Sequence, residues 1–461
     1  MIIPALGFLL FFAESIACAQ GDKALPAIAL VGGTLIDVSN SGHSTRDIPN
    51  AVVVLRAGKI EGTGPAALVK VPRDARTIDC RGAYILPGLV DGFAGLNSQP
   101  QANAWLYMGV TNIVGSQDDR RGRLKRDAHP SPHVYPIDLV GSIEVDSFLV
   151  SIPQWRNKLK SNDDVVELNE QESKAQLEDL WRQGVRAAYL GRDLTADRTK
   201  FIISECRRLG LVTYGEFAST PYADALDDGV DVLLHMTRYA LGLIPHRLQQ
   251  PLVQDLEGGA HDAAYTYLLQ LDPADPSIAV FGKQIKASGA ALMPTLSLSY
   301  LLLPHHRNLW KEPAASILDP KGLHKSPDPI SGEASEEQRD AVQRQAQFWA
   351  INRTLQATHP IYLAGSGASA FGTMPGISTH TELELLVRSG LTPREALAAA
   401  TSNYSERFGW RELGLVEAGR RADLLILAAD PTVDISNTRK IQSVILDGAV
   451  LDRDPLLNKP R

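Results

Sequence analysis

Between residues 83 and 367 short, uninterrupted apolar runs recur at 84–90, 110–114, 134–140, 185–190, 211–215, 230–235, 290–296 and 361–365. Their hydrophobicity is continuous rather than alternating, which suits strands covered on both faces of a parallel sheet. Stretches such as 171–183, 197–209, 276–288 and 335–357 lie between them and carry apolar residues at a helical period. Eight such alternations predict an α/β fold, a closed (β/α)8 TIM barrel over residues 83–410. The flanks have a different rhythm. Residues 28–38, 51–63 and 76–80 alternate apolar with polar around Ala57-Gly58-Lys59, and 423–428 and 441–451 do so around Asp447-Gly448. Neither flank, 20–82 or 411–461, is long enough to bury a core alone. The two are therefore expected to join as one small β-sandwich beside the barrel.

Two insertions interrupt the pattern. Residues 115–133 carry Arg120, Arg121, Arg123, Lys125 and Arg126 and read as a solvated loop. Residues 304–334 hold His305, His306 and His324 among prolines and follow a strand. Loops after barrel strands lie at the catalytic mouth, so a lid is expected there.

The N-terminus changes the picture of where the chain works. Residues 2–13 are apolar and uncharged and are followed by Ala17-Cys18-Ala19, the arrangement of a cleaved signal peptide ending at residue 19. A lipid anchor on Cys18 and a buried N-terminal helix are the alternatives. The run falls short of the roughly 20 residues that span a bilayer, so export to the periplasm or medium without a membrane span is expected. Cys80 and Cys206 would then remain, at a spacing that forms neither a disulfide framework nor a zinc ribbon. The net charge of −7 provides no basic field for nucleic acid. Walker loops and Gly-x-Ser-x-Gly elbows are missing from the sequence.

Leu86-Pro87-Gly88-Leu89-Val90-Asp91 begins a recognisable pattern. It continues through Gly229-Val230-Asp231-Val232-Leu233-Leu234-His235 to His380-Thr381-Glu382-Leu383-Glu384, Gly390-Leu391-Thr392-Pro393 and Ala422-Asp423-Leu424. On these residues the chain resembles the amidohydrolase superfamily, its imidazolonepropionase-like and Xaa-Pro-dipeptidase-like branch in particular. The resemblance implies a barrel with a sandwich made from both termini. It also implies hydrolysis of C–N bonds by a water activated on zinc or another divalent metal. The ligands would be a His-x-His pair after strand 1, a carboxylated Lys on strand 4, a His on each of strands 5 and 6, and an Asp after strand 8. Those positions fall here on Phe93 and Gly95, Tyr189, Glu216, His235 and Gly367, and His235 alone matches. His380 matches a position outside the metal shell, where it either positions a helix or reaches the pocket.

A catalytic zinc needs about three protein ligands and an open position for water, and Phe and Gly carry no donor. No bound cofactor is therefore expected. The favoured expectation is a degenerate protein that binds a small molecule or a partner at the old mouth, lined by Phe93, Tyr189, Glu216, His235, Gly367 and His380. The alternatives are an active hydrolase of small amides, cyclic amides or dipeptides with unusual ligands, and a structural subunit in a homo-oligomer or beside an active paralogue. Adjacent strands lie about 4.8 Å apart, so Glu216 and His235 are expected to pair at the pocket floor, with Tyr189 donating to the same carboxylate.

Overall fold

The computed structural model describes residues 26–117, 121–143, 166–252, 259–303, 306–320 and 336–458. The proposed leader, His305 and His324 lie outside them. Eight parallel strands form one curled sheet: β1 (Leu89–Ala94), β2 (Val110–Gly115), β3 (His133–Val140), β4 (Ala187–Leu190), β5 (Val212–Gly215), β6 (Val232–Leu234), β7 (Ala291–Met293) and β8 (Ile361–Tyr362). Its edges meet through backbone bonds. Gly92 N–H donates to the Ala364 carbonyl at 2.9 Å and Gly367 N–H to the Phe93 carbonyl at 2.8 Å.

The barrel begins later than the hydrophobic run suggests. Residues 84–90 are two strands, not one, divided at Gly88, whose N–H donates to the Asp423 carbonyl at 2.8 Å. Tyr84–Pro87 belongs to the second sheet, antiparallel to Leu424–Leu427 and parallel to Thr34-Leu35. That sheet has eight strands and draws on both flanks, as the alternating pattern predicts.

Inside the barrel Val90, Val114, Ile137, Ala187, Val212, Val232, Leu234, Ala291 and Met293 are buried together. Tyr404 and Trp410 join them, and Trp410 stacks on Tyr135 with ring centroids 4.5 Å apart. Each Val, Leu, Ile or Met among them contributes about 1.5–3 kcal/mol by leaving water. Helix ends are set by local chemistry. Asn169 and Glu172 form a capping box on helix Glu170–Arg182, and Thr392 and Glu395 form another on Pro393–Ala399.

The described part of the expected lid, 306–320, does not cover the mouth. Pro313–Ile317 packs on helix Gln99–Tyr107 and on the turn Asp454–Leu457, with Leu309, Ala314 and Ile317 buried. His306 is buried too, its Nδ1 against the Arg307 carbonyl at 3.0 Å. Apolar residues in the Pro-rich segment therefore serve the core. Cys80 and Cys206 are buried free thiols. Among the described residues no helix is long and apolar enough to cross a membrane.

Candidate functional site

The C-terminal ends of the strands surround a cavity of about 620 Å³. Phe93 from β1, Tyr189 from β4, Glu216 just beyond β5, and His235 and Arg238 just beyond β6 all line it. Strand ends face this mouth because the parallel strands run the same way. His235 has φ +58°, a left-handed backbone that is costly for a side chain with a Cβ. The turn aims its imidazole across the mouth.

Glu216 is the hub. Its Oε2 accepts from the Tyr189 hydroxyl at 2.5 Å and lies 3.5 Å from His235 Nε2, while Oε1 pairs with Arg238 Nε at 2.9 Å. Burial pushes this carboxyl up, but His235, Arg238, the Tyr189 hydroxyl and Arg192 outweigh burial and hold it below its ordinary range. His235 Nδ1 lies 2.6 Å from the Thr295 hydroxyl oxygen, and that hydroxyl donates to the Pro294 carbonyl at 2.8 Å. An imidazolium would satisfy both neighbours, donating from Nδ1 to Thr295 and from Nε2 towards Glu216.

Arg121 occupies the other side. Although read as part of a solvated basic loop, it is only 3% exposed. Its Nε donates to the Ala368 carbonyl at 3.2 Å and its Nη2 to the Gly367 carbonyl at 3.1 Å. The guanidinium carbon sits 4.7 Å from the centre of the Phe93 ring, within cation–π range. Asp91 fixes the loop that supplies those carbonyls, accepting from Ser366 N–H at 2.9 Å and from the Thr379 hydroxyl at 2.6 Å.

These contacts test whether a catalytic dication fits. A Cβ built on Gly95 would lie 2.8 Å from Arg121 Cβ, and one on Gly367 would lie 2.5 Å from Leu298 Cδ2. Where the resemblance implies a histidine and an aspartate, the space is filled by an arginine stem and a leucine. Phe93 offers a ring face already used by the guanidinium. A bound dication would also stand beside that fixed positive charge, so the residues do not fit it. Among the described residues, the His/Asp cluster with metal-like spacing is His133, Asp423 and Asp447. It begins β3, at the barrel end away from the mouth, and Arg421 Nε already pairs with Asp423 at 2.6 Å.

The structure thus brings Phe93, Tyr189, Glu216 and His235 together and leaves out two expected residues. Gly367 is screened from the cavity by Leu298, contributing only its carbonyl to Arg121. His380 is fully buried elsewhere, its Nε2 2.8 Å from the Met108 carbonyl oxygen and its Nδ1 2.8 Å from the Thr438 hydroxyl oxygen. Burial, reinforced by Arg439, drops its pKa to about 3, so it is a neutral clamp. Sequence reasoning missed Arg121, Arg192, Arg238, Thr295 and Gln345, all of which line the cavity. A signal existed for Arg192, Arg238 and Thr295, which follow barrel strands closely, where loops reach the mouth.

Comparisons with known proteins agree on the framework. The amidohydrolase family profile matches residues 359–451. The chain is 56% identical over 41 residues to adenine deaminase 2 of Agrobacterium fabrum, covering 9% of this chain and 7% of that protein. It is 41% identical over 68 residues to imidazolonepropionase of Deinococcus deserti, covering 14% of this chain and 17% of that one. The matches therefore span less than a fifth of the curated relatives' length. Over the whole fold, a Xaa-Pro dipeptidase solved with methionine in its active site superposes with a TM-score of 0.59 at 16% identity, covering 92% of this chain and 100% of that one.

Proposed function

We propose that this chain, which matches the amidohydrolase superfamily over residues 359–451, uses the superfamily's barrel to bind a small molecule at the mouth without metal-dependent hydrolysis. The observation that carries this reading is Arg121. Its stem occupies the space beside Gly95 and its guanidinium is held by the Gly367 and Ala368 carbonyls, so a cation belonging to the protein stands among the positions of the lost ligands. No cofactor is needed by such a site. Glu216, Tyr189, Arg238 and His235 form a mutually satisfied polar floor, which suits a recognition surface that keeps one geometry.

A second reading is supported by the 3.5 Å approach of His235 to Glu216: two donors on adjacent strands that could begin an unorthodox metal site in an active hydrolase. One experiment separates them. Protein purified without affinity metals and dialysed is expected to hold well under one zinc, manganese or iron per chain and to leave small amides, cyclic amides and dipeptides intact. A stoichiometric metal, with hydrolysis that a chelator abolishes and the metal restores, would establish the second reading instead. The proposal includes export, resting on residues 2–19, and secreted protein should begin at Gln20 by N-terminal sequencing.

A further inference from the structure

The base of the barrel carries a second group of metal-ligating side chains, drawn from three separate stretches of chain. His133 opens β3, Asp423 immediately precedes the strand Leu424–Leu427, and Asp447 lies in the turn between Ile441–Leu446 and Ala449–Leu451. Leu139 lines the mouth and is six residues further along β3, so at about 3.3 Å per residue the two places are roughly 20 Å apart.

The spacing of the group is informative. His133 Nε2 lies 3.4 Å from Asp423 Oδ2 and 3.4 Å from Asp447 Oδ1, and one donor atom from each residue falls within 4.8 Å of the others. Both separations are long for a charge-assisted hydrogen bond, which closes to about 2.7–2.9 Å. They match the edge of a tetrahedron instead, because zinc bonds of about 2.0–2.1 Å set neighbouring ligand atoms about 3.3–3.4 Å apart. A second observation concerns the imidazole itself. His133 Nε2 is shut off from solvent yet has no hydrogen-bond partner among the described residues, although two carboxylate oxygens flank it. A buried ring nitrogen without a partner is costly, and a cation between the two oxygens would take its lone pair.

We propose that His133, Asp423 and Asp447 form a structural zinc site that staples the base of the barrel to the flank sheet. One imidazole and two carboxylates suit zinc better than calcium, which takes about six to eight oxygens, or magnesium, which demands an octahedron. Water completes the shell beside Asp447, whose side chain is 55% exposed. Arg421 Nε sits 2.6 Å from Asp423 Oδ2; it uses one lone pair of that oxygen and leaves another, but it repels a dication. Glu412, bonded to the Tyr135 hydroxyl at 2.9 Å beside Arg421 Nη2, offsets part of that repulsion. The ion is therefore held loosely and leaves on dialysis. The site is separate from the mouth and does not depend on how the mouth works.

The test uses dialysed intact protein and zinc chloride. Calorimetric titration is expected to show one zinc per chain with a Kd of about 1–100 µM. Saturating zinc should raise the thermal midpoint by at least about 1 °C, since an ion bound only by the folded chain stabilises it by mass action, and equimolar magnesium should not. His133→Gln and Asp447→Asn should each weaken zinc at least about tenfold and remove the thermal shift, whereas His235→Ala, at the mouth, should leave both. Anomalous diffraction at the zinc edge locates the ion in unaltered protein even if the variants fail to fold. No saturation below about 1 mM, an equal response to magnesium, or an ion located away from His133 would each overturn the proposal. Zinc that survives His133→Gln but is lost in His235→Ala would place the ion at the mouth and overturn the metal-free reading as well. Zinc that survives dialysis but is lost in His133→Gln would belong to this site and leave the reading of the mouth standing.

Discussion

Gly95→His puts back the side chain that the resemblance implies, and the structure says it should damage the fold rather than begin to restore a metal site. The new Cβ would lie 2.8, 3.1 and 3.2 Å from Cβ, Cγ and Cδ of Arg121. The whole arginine stem must therefore leave, because the clash is at its base and not at its flexible end. Departure forfeits the bonds to the Gly367 and Ala368 carbonyls, each worth about 1.5–3 kcal/mol for a charged donor. It also forfeits the contact with the Phe93 ring, worth about 0.5–2 kcal/mol. Water at the open mouth replaces part of this, leaving a cost of about 3 kcal/mol. Arg121→Gly removes the same interactions together with the Cβ that would clash, and should cost about the same. The two losses are one loss counted by two routes, so the double variant should cost about 3–4 kcal/mol rather than the roughly 6 of independent sites. Urea unfolding followed by tryptophan fluorescence measures all four corners of the cycle. Trp105, whose Nε1 donates to the Gly95 carbonyl at 3.2 Å, reports locally. Additivity within about 0.5 kcal/mol, or a Gly95→His cost below about 1 kcal/mol, would refute the claim that Arg121 fills this space.

Other outcomes follow from the same contacts. Arg238→Met leaves the Glu216 carboxylate short of its closest cation and should destabilise by about 3 kcal/mol in urea, with part recovered by adding Glu216→Gln. His380→Leu strands the buried Met108 carbonyl, so it should cost about 1–3 kcal/mol in urea unfolding. A cost below about 0.5 kcal/mol would refute its role as a clamp. Glu382 accepts from Leu296 and Ser297 N–H, and burial pushes it up to about 8 from 4.5. Its proton is held longer in the fold than in the unfolded chain, so its contribution is complete below about pH 4.5 and fades as pH rises towards 8. Glu382→Gln should flatten the fall in urea stability over that window, although Asp91, also raised by burial, keeps some slope. Stability rising with pH across the window in the unaltered protein, with no change in slope on substitution, would contradict this.

The parts of the molecule legible from sequence are those governed by periodicity. Continuous apolar runs located seven of the eight barrel strands and the first two residues of the other, because both faces of a parallel sheet are covered. Alternation located the flank sheet for the complementary reason. The division at Gly88 was not legible, since Tyr84–Pro87 and Leu89–Ala94 are both buried and differ in which sheet they join. Likewise, prolines and histidines in 304–334 do not reveal that Leu309 and Ile317 are core residues.

At the site, the pairing of Tyr189, Glu216 and His235 was legible because the ends of adjacent strands are close by construction. Arg121 was not, and the reason is physical. A run of like charges is solvated on average, but one member can be buried if backbone carbonyls and a ring receive it and nothing occupies the space it needs. Glycine at 95 removes that occupant, phenylalanine at 93 supplies the ring, and glycine at 367, with φ +68°, belongs to the turn whose carbonyl receives Nη2. The three substitutions that delete donors are therefore the same three that build the arginine's berth. They read as independent losses along the chain, yet on the proposed reading they exchange a dication captured from solvent for a cation that the chain carries itself. That reading predicts positive potential at the mouth and no metal-dependent activation of water, which needs a coordinated oxygen.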